Sequence, residues 1–348
     1  MKSNFGITLD NGIQIDKNYF PGFVRKAVSF TIADGIVEYD KRFIEIVKPA
    51  GILGTFNLIN TSLNRSGLTD KEYIELYSGF EVSNHHVFHP LPWFDFDGFC
   101  AEDFSEIPIH DSILYNDSIK NELDSSYLYK TDIPGLYFID YNYHFYKIYT
   151  SKYWHPIMTN ESYIKYAQET KNDIESLFGK GSVVGFAFPH GKANEAVKRM
   201  LKNEGYLYAR GGYGRADNTG FSMPSDRYEW SNNAIHSNLN EVMADFDALE
   251  DDGNLKLFTF GVHASDFLGH WDSLQTFADT YGRRPSDFYY ASICDIFEYE
   301  DAVKALQNKN GKLINASNID LYVTIDNVKV IIPQKSVYTL SNGNVSDY

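Results

Sequence analysis

Cysteine is scarce in this 348-residue chain, with only Cys100 and Cys294 present. Two isolated thiols make neither a disulfide framework nor a thiolate zinc site, so the fold has to rest on a hydrophobic core. Basic clusters are missing too. Lys and Arg total 31 against 47 acidic residues, a formal net charge of −16, and no local run of cations offsets that field. Nucleic acid and anionic membrane surfaces are therefore not expected partners. The N-terminal stretch MKSNFGITLDNGIQ has no apolar run after its lysine. No signal peptide and no membrane span are read, which leaves cytoplasmic, particle-associated and trimmed secreted forms open. Repeats and low-complexity segments are absent.

What remains is a packed α/β chain. Hydrophobic residues make up 43% and charged residues 22%, values of a folded protein rather than a disordered one. Aromatics reach 16%; they suit the walls of a sugar groove, and equally an ordinary core. The run Lys26 to Ile32 reads as a buried strand ending in Ala33-Asp34-Gly35. Phe43, Ile44 and Val47 follow at helical spacing, and 51–58 reads as a second strand. This strand–helix–strand rhythm implies parallel pairing. Thr69 to Glu72 opens a further helix with capping residues, and Phe80 to Ser83 is a third strand. Residues 91–158, rich in Tyr, Asp, Asn and Pro, break the rhythm as a long insertion. Alternation resumes with a helix at 163–177, strands at 182–188 and 255–260, and helices at 194–203 and 272–280. The expected plan is an N-terminal extension (1–25), a barrel-like domain (26–311) holding the insertion, and a β-rich C-terminal appendage (312–348).

The sharpest local signal is His85-His86-Val87-Phe88-His89. Two imidazoles four residues apart can meet one ion if the segment is helical or tightly turned; a solvated His-rich loop is the plainer alternative. A carboxylate from elsewhere is needed to complete such a site. Asp34 ends a predicted central strand, where ligand sites of parallel α/β folds gather.

Several motifs carry a family resemblance. Asp34-Gly35 after an apolar strand resembles the first motif of the polysaccharide deacetylases of carbohydrate esterase family four. Gly79 to Pro90, with its glutamate and paired histidines, resembles the second. Phe186-Ala187-Phe188-Pro189-His190-Gly191 resembles the third, in the form found in one bacterial subgroup. Pro224 to Trp230, Val262 to Phe267, Trp271 and 288–299 follow in that subgroup's order. The resemblance covers roughly residues 20–90 and 160–340, not the insertion. It implies a distorted (β/α) barrel and a divalent metal, most often zinc, held by Asp34, His85 and His89. The metal lowers the pKa of water and polarises an acetyl carbonyl. His263 matches the acid that protonates the departing amine. Pro189, His190, Trp230 and Asp266 stand as substrate-binding candidates, and an acetylated oligo- or polysaccharide is the implied partner. His86 is read as a neighbour of the site, and His236 lies near a subgroup histidine. His110, His144 and His155 have no metal-like spacing.

The chain departs from the pattern at one point. The family's first motif has two successive aspartates, the first being the base, and here that position is Ala33. The arginine that often accompanies the base is also absent, with Ala187 near its place. A positioned base contributes about 10²–10⁴-fold in rate. Three outcomes follow: Asp266 or Asp226 supplies the base, the metal ionises water unaided, or the chain is an impaired, glycan-binding or structural protein such as a phage or surface-assembly component. Hydrolysis of another amide or ester is a further alternative. The sequence names neither the sugar nor the oligomeric state.

Overall fold

The computed structural model describes residues 13–60, 66–87, 160–211, 221–341 and 343–348, with the backbone of strands at 6–8, 91–92, 109–113, 128–131, 136–139, 144–149 and 153–158. Its centre is a parallel sheet of β1 (Lys26–Asp34), β2 (Gly54–Leu58), β3 (Glu81–Asn84), β4 (Gly185–Ala187), β5 (Tyr208–Arg210), β6 (Lys256–Phe260) and β7 (Tyr289–Tyr290). The order is β5-β4-β3-β2-β1-β6. Strand β1 shares its partners: Ala27 and Val28 pair with β7, while Phe30 to Asp34 pair with β2. Helices α1 (Val37–Val47), α2 (Asp70–Leu76), α3 (Asn160–Phe178), α4 (Glu195–Asn203), α5 (Leu239–Asp247) and α6 (Trp271–Tyr281) connect successive strands, and α7 (Ile293–Ala305) follows β7. The result is the expected distorted (β/α) barrel, closed over only part of its circumference.

Residue alternation explains the layering. Val28, Phe30 and Ile32 of β1 enter the main core, with Phe56, Val82, Phe186, Phe258 and Phe260 from neighbouring strands. The Phe30 ring meets Phe43, Phe56 and Phe80 at 5.0, 5.2 and 5.6 Å between centroids, where edge-to-face contacts add to area burial. Among the alternate residues Ser29, Thr31, Thr55, Asn57, Ser83 and Thr259 are polar and buried. Asn57 donates to Thr31 Oγ1 at 2.8 Å, and Thr55 donates to Glu81 at 2.6 Å, so the other face of the sheet is a hydrogen-bonded seam.

Helix starts follow local chemistry. Thr69 and Glu72 form the capping box the sequence predicts, Asn194 caps α4, and Ser292 and Asp295 form a second box on α7. Strand β2 starts later than predicted, at Gly54, because Gly51 (φ 73°) closes the turn after α1.

Two further four-stranded sheets lie beyond the barrel. Gln14–Asp16 pairs antiparallel with Leu321–Ile325, in a sheet with Gly6–Thr8 and Val328–Ile332. Gln307–Lys309, Lys312–Asn315, Ser336–Thr339 and Asn344–Asp347 form the other. A second core cluster, with Ile15, Phe20, Leu257, Ile296, Leu313 and Leu321, joins these sheets to α7. Between β3 and α3 the backbone forms a six-stranded sheet, whose strand Leu91–Pro92 runs parallel to Tyr153–Met158. Among the described residues no helix is long and apolar enough to cross a membrane.

Candidate functional site

Three strand ends build the site at the carboxyl edge of the sheet. Strand β1 ends at Asp34 (φ 78°), followed by Gly35 (φ 67°). A side chain at Gly35 would be strained at that φ, and its Cβ would lie 2.8 Å from Leu58 Cδ2. The double left-handed turn lifts the Asp34 carboxylate off the sheet, 16% exposed. Strand β3 delivers His85, whose amide bonds Leu58 O at 2.9 Å. The His85 ring is 3% exposed and lies 2.8 Å, through Nδ1, from Ala187 O. A carbonyl only accepts, so Nδ1 carries a proton, and its bond to Ala187 O fixes the orientation of the ring. That Nε2 faces Asp34 Oδ1 across 3.4 Å. A proton on Nε2, or a cation beside both groups, satisfies that approach.

His263 follows β6. Its amide and Nδ1 both bond Asp266 Oδ2, at 3.2 and 3.0 Å, and its Nε2 lies 3.8 Å from Asp34 Oδ2. Burial alone would lower the His263 pKa. The hydrogen bond His263 donates to Asp266 and the charges of Asp34 and Asp266 outweigh burial and the opposing Arg210 charge, and hold it above its ordinary value. Burial raises Asp266, but its bond to His263 keeps it below the ordinary value.

Ala33 lies beside this pair. Its amide bonds Val262 O at 2.7 Å, it is bridged in register to His263, and its methyl offers no proton acceptor. Arg210, buried at the end of β5 and in register with Ala187, brings a permanent positive charge to the same edge.

The structure thus brings Asp34, His85, His263 and Asp266 together. Asp266, expected to bind substrate, is engaged with His263. Pro189 and His190 form a tight turn directly after β4, with Pro189 buried and His190 at φ 55°, on the same edge of the sheet. Trp230 departs from expectation. Its indole is 8% exposed in an apolar cluster with Tyr208 and Phe297, at 6.2 and 6.0 Å, where a large ring buries the most area. Asp226 lies 3.0 Å from Lys198. His86 is engaged at both ring nitrogens, by Val87 N and Tyr163 O, and so is no ligand. His89 lies outside the described residues, and among the described residues no three His, Cys, Asp or Glu side chains are placed to hold a metal ion. Two cavities of about 460 and 320 Å³ contain none of these residues; they adjoin Lys256 and Lys26, which begin β6 and β1 at the opposite edge. Sequence reasoning missed Arg210 and the Ala187 carbonyl. The first sits on a three-residue strand with no periodic signal, and the second is a backbone atom.

The family model for polysaccharide deacetylases matches residues 22–209, more than half of the chain. The chain belongs to the polysaccharide deacetylase family. Its fold is similar to that of a putative polysaccharide deacetylase from Mycobacterium smegmatis (14% identity, 84% of this chain and 96% of that one, TM-score 0.48). It is similar also to a peptidoglycan deacetylase from Bacillus subtilis (11%, 81% and 94%, 0.40) and to a family four carbohydrate esterase pseudoenzyme from Bacillus anthracis (14%, 78% and 66%, 0.38). No curated protein matches it significantly. In this polysaccharide deacetylase family member the matched segment holds Asp34, His85 and His89, whereas His263 lies beyond it and is placed by geometry.

Proposed function

We propose that this chain is a metal-dependent hydrolase that removes acetyl groups from an acetylated glycan, with zinc held by Asp34, His85 and His89. The observation that carries the reading is the orientation of His85, whose Nδ1 bond to Ala187 O turns Nε2 towards Asp34 Oδ1 at 3.4 Å. A backbone carbonyl holding the far nitrogen of an imidazole is how metal-ligating histidines are oriented. Bound there, the metal would supply Lewis acidity towards the acetyl carbonyl and towards water.

The chain's own groups supply the rest. Asp266 and Asp34 favour the His263 imidazolium and hold its pKa above the ordinary value, and its Nε2 is the group placed to hand a proton to the departing amine or alkoxide. Asp266 holds Nδ1 and thereby the ring. Asp266 Oδ2 accepts from His263 and Asp226 is bound to Lys198, so each carboxylate is tied to a cationic partner and neither stands where Ala33 does. Turnover is accordingly slow, by about 10²–10⁴-fold relative to a site with a positioned base. The test is acetate release from acetylated chito-oligosaccharides with zinc present. Release that chelation and His85→Ala both abolish supports the reading; no release from any acetylated glycan by the zinc-loaded protein contradicts it.

Ala33 favours a second reading, a glycan-binding or structural protein on the same scaffold. Under it Ala33→Asp creates activity from none, while glycan binding is already present in the wild type. Activity in the wild type rules it out.

A further inference from the structure

His86 is a fully buried imidazole at φ 68° whose nitrogens are both committed. Val87 N donates to Nδ1 at 2.8 Å, which leaves the proton on Nε2, donating to Tyr163 O at 2.9 Å. Its ring lies 4.3 Å from the Tyr163 ring. Asn84 does the same work one residue before His85. Its Oδ1 accepts from His86 N at 2.7 Å, and its Nδ2 donates to Ala167 O at 2.6 Å and Tyr206 Oη at 2.8 Å. Tyr163 and Ala167 are four residues apart, on one face of α3. Asn84 and His86 therefore grip a single turn of that helix, and His85 between them is turned the other way, towards Ala187 and Asp34.

The far side of the segment leads to the same helix. Two residues after His89, Leu91 pairs with Ile157 and Pro92 with Met158, and that strand runs into α3 at Asn160.

We propose that His86, with Asn84, is a positioning residue that makes α3 the template for the metal-ligand turn, so that zinc affinity depends on a side chain that does not touch the metal. This rests on the metal site proposed above. Partners that orient ligands are worth about 10–100-fold in metal affinity, and His86 should fall in that range.

The experiment is competition for zinc against a chromogenic chelator, with melting of the zinc-free proteins measured in parallel. His86→Phe keeps the ring and loses both hydrogen bonds. His86→Asn suits a positive φ and keeps an acceptor for Val87 N. His86→Gln places an amide nitrogen near the original Nε2 and keeps the bond to Tyr163 O. The expected result is zinc binding weakened about tenfold or more in His86→Phe and His86→Asn, with substantial recovery in His86→Gln, whatever the order of melting temperatures. If His86→Phe does not fold, the contrast between Asn and Gln decides. Wild-type affinity in His86→Phe or His86→Asn overturns the proposal, as does equal loss in Asn and Gln. If the wild type takes up no zinc, and His85→Ala changes nothing, the metal reading itself falls and this inference falls with it.

Discussion

Replacing Glu81 by Gln should abolish a pH dependence of stability that the barrel interior imposes. Glu81 opens β3, the strand that delivers His85, and its carboxyl is enclosed. Burial pushes its pKa up to about 7 from the ordinary 4.5, against hydrogen bonds from Thr55, Cys294 N and Tyr208. Below pH 4.5 the folded and unfolded states both carry the proton. As pH rises from 4.5 to about 7, only the folded state keeps it, and stability falls by about 1.4 kcal/mol per pH unit. The loss approaches roughly 3 kcal/mol and is complete above pH 7. Gln can satisfy the same partners. Its carbonyl accepts from Thr55 and Cys294 N, which lie 2.6 and 3.0 Å from Glu81 Oε2, and its NH₂ donates to Tyr208, 2.8 Å from Oε1. Urea denaturation at pH 5 and pH 8 is the assay. The variant should match the wild type within about 1 kcal/mol at pH 5 and exceed it by roughly 3 kcal/mol at pH 8. An identical fall in stability between the two pH values for both proteins would refute the reasoning.

Ala33→Asp should raise acetate release by about 10²–10⁴-fold, measured at saturating zinc; an unchanged rate means that position 33 does not limit the chemistry. Asp266→Asn removes the charge that stabilises the His263 imidazolium, so the alkaline limb of the activity profile should move to lower pH, and an unmoved limb contradicts the assignment of His263 as proton donor. Phe30→Ala, in the ring cluster with Phe43, Phe56 and Phe80, should cost about 3–5 kcal/mol in urea denaturation, and a loss under 1 kcal/mol would show that the cluster repacks.

The barrel was legible because its signals are local. The β-rich run Lys26 to Ile32 has no helical period, and Thr69 with Glu72 announces its own cap. Asp34 is expected beside His85 because strand ends in a parallel sheet converge, and the two side chains lie 3.4 Å apart. Other features depend on distance. The three residues Tyr208 to Arg210 form a strand only because β4 lies beside them. The pairing of Gln14–Asp16 with Leu321–Ile325 joins the two ends of the chain, which no local pattern connects. Trp230 reads the same in a groove as in a core until Tyr208 and Phe297 are placed around it. The contacts of His86 and Asn84 depend on two carbonyls, Tyr163 O and Ala167 O, of a helix that starts more than seventy residues later, and backbone acceptors leave no mark in a sequence.

The most direct measurement is anomalous diffraction at the zinc edge from crystals grown with the metal. The account predicts one peak per chain, bonded by the Asp34 carboxylate, His85 Nε2 and His89, with His85 Nδ1 still on Ala187 O. A peak lodged elsewhere, or none while Asp34 and His85 bond each other directly, would contradict it.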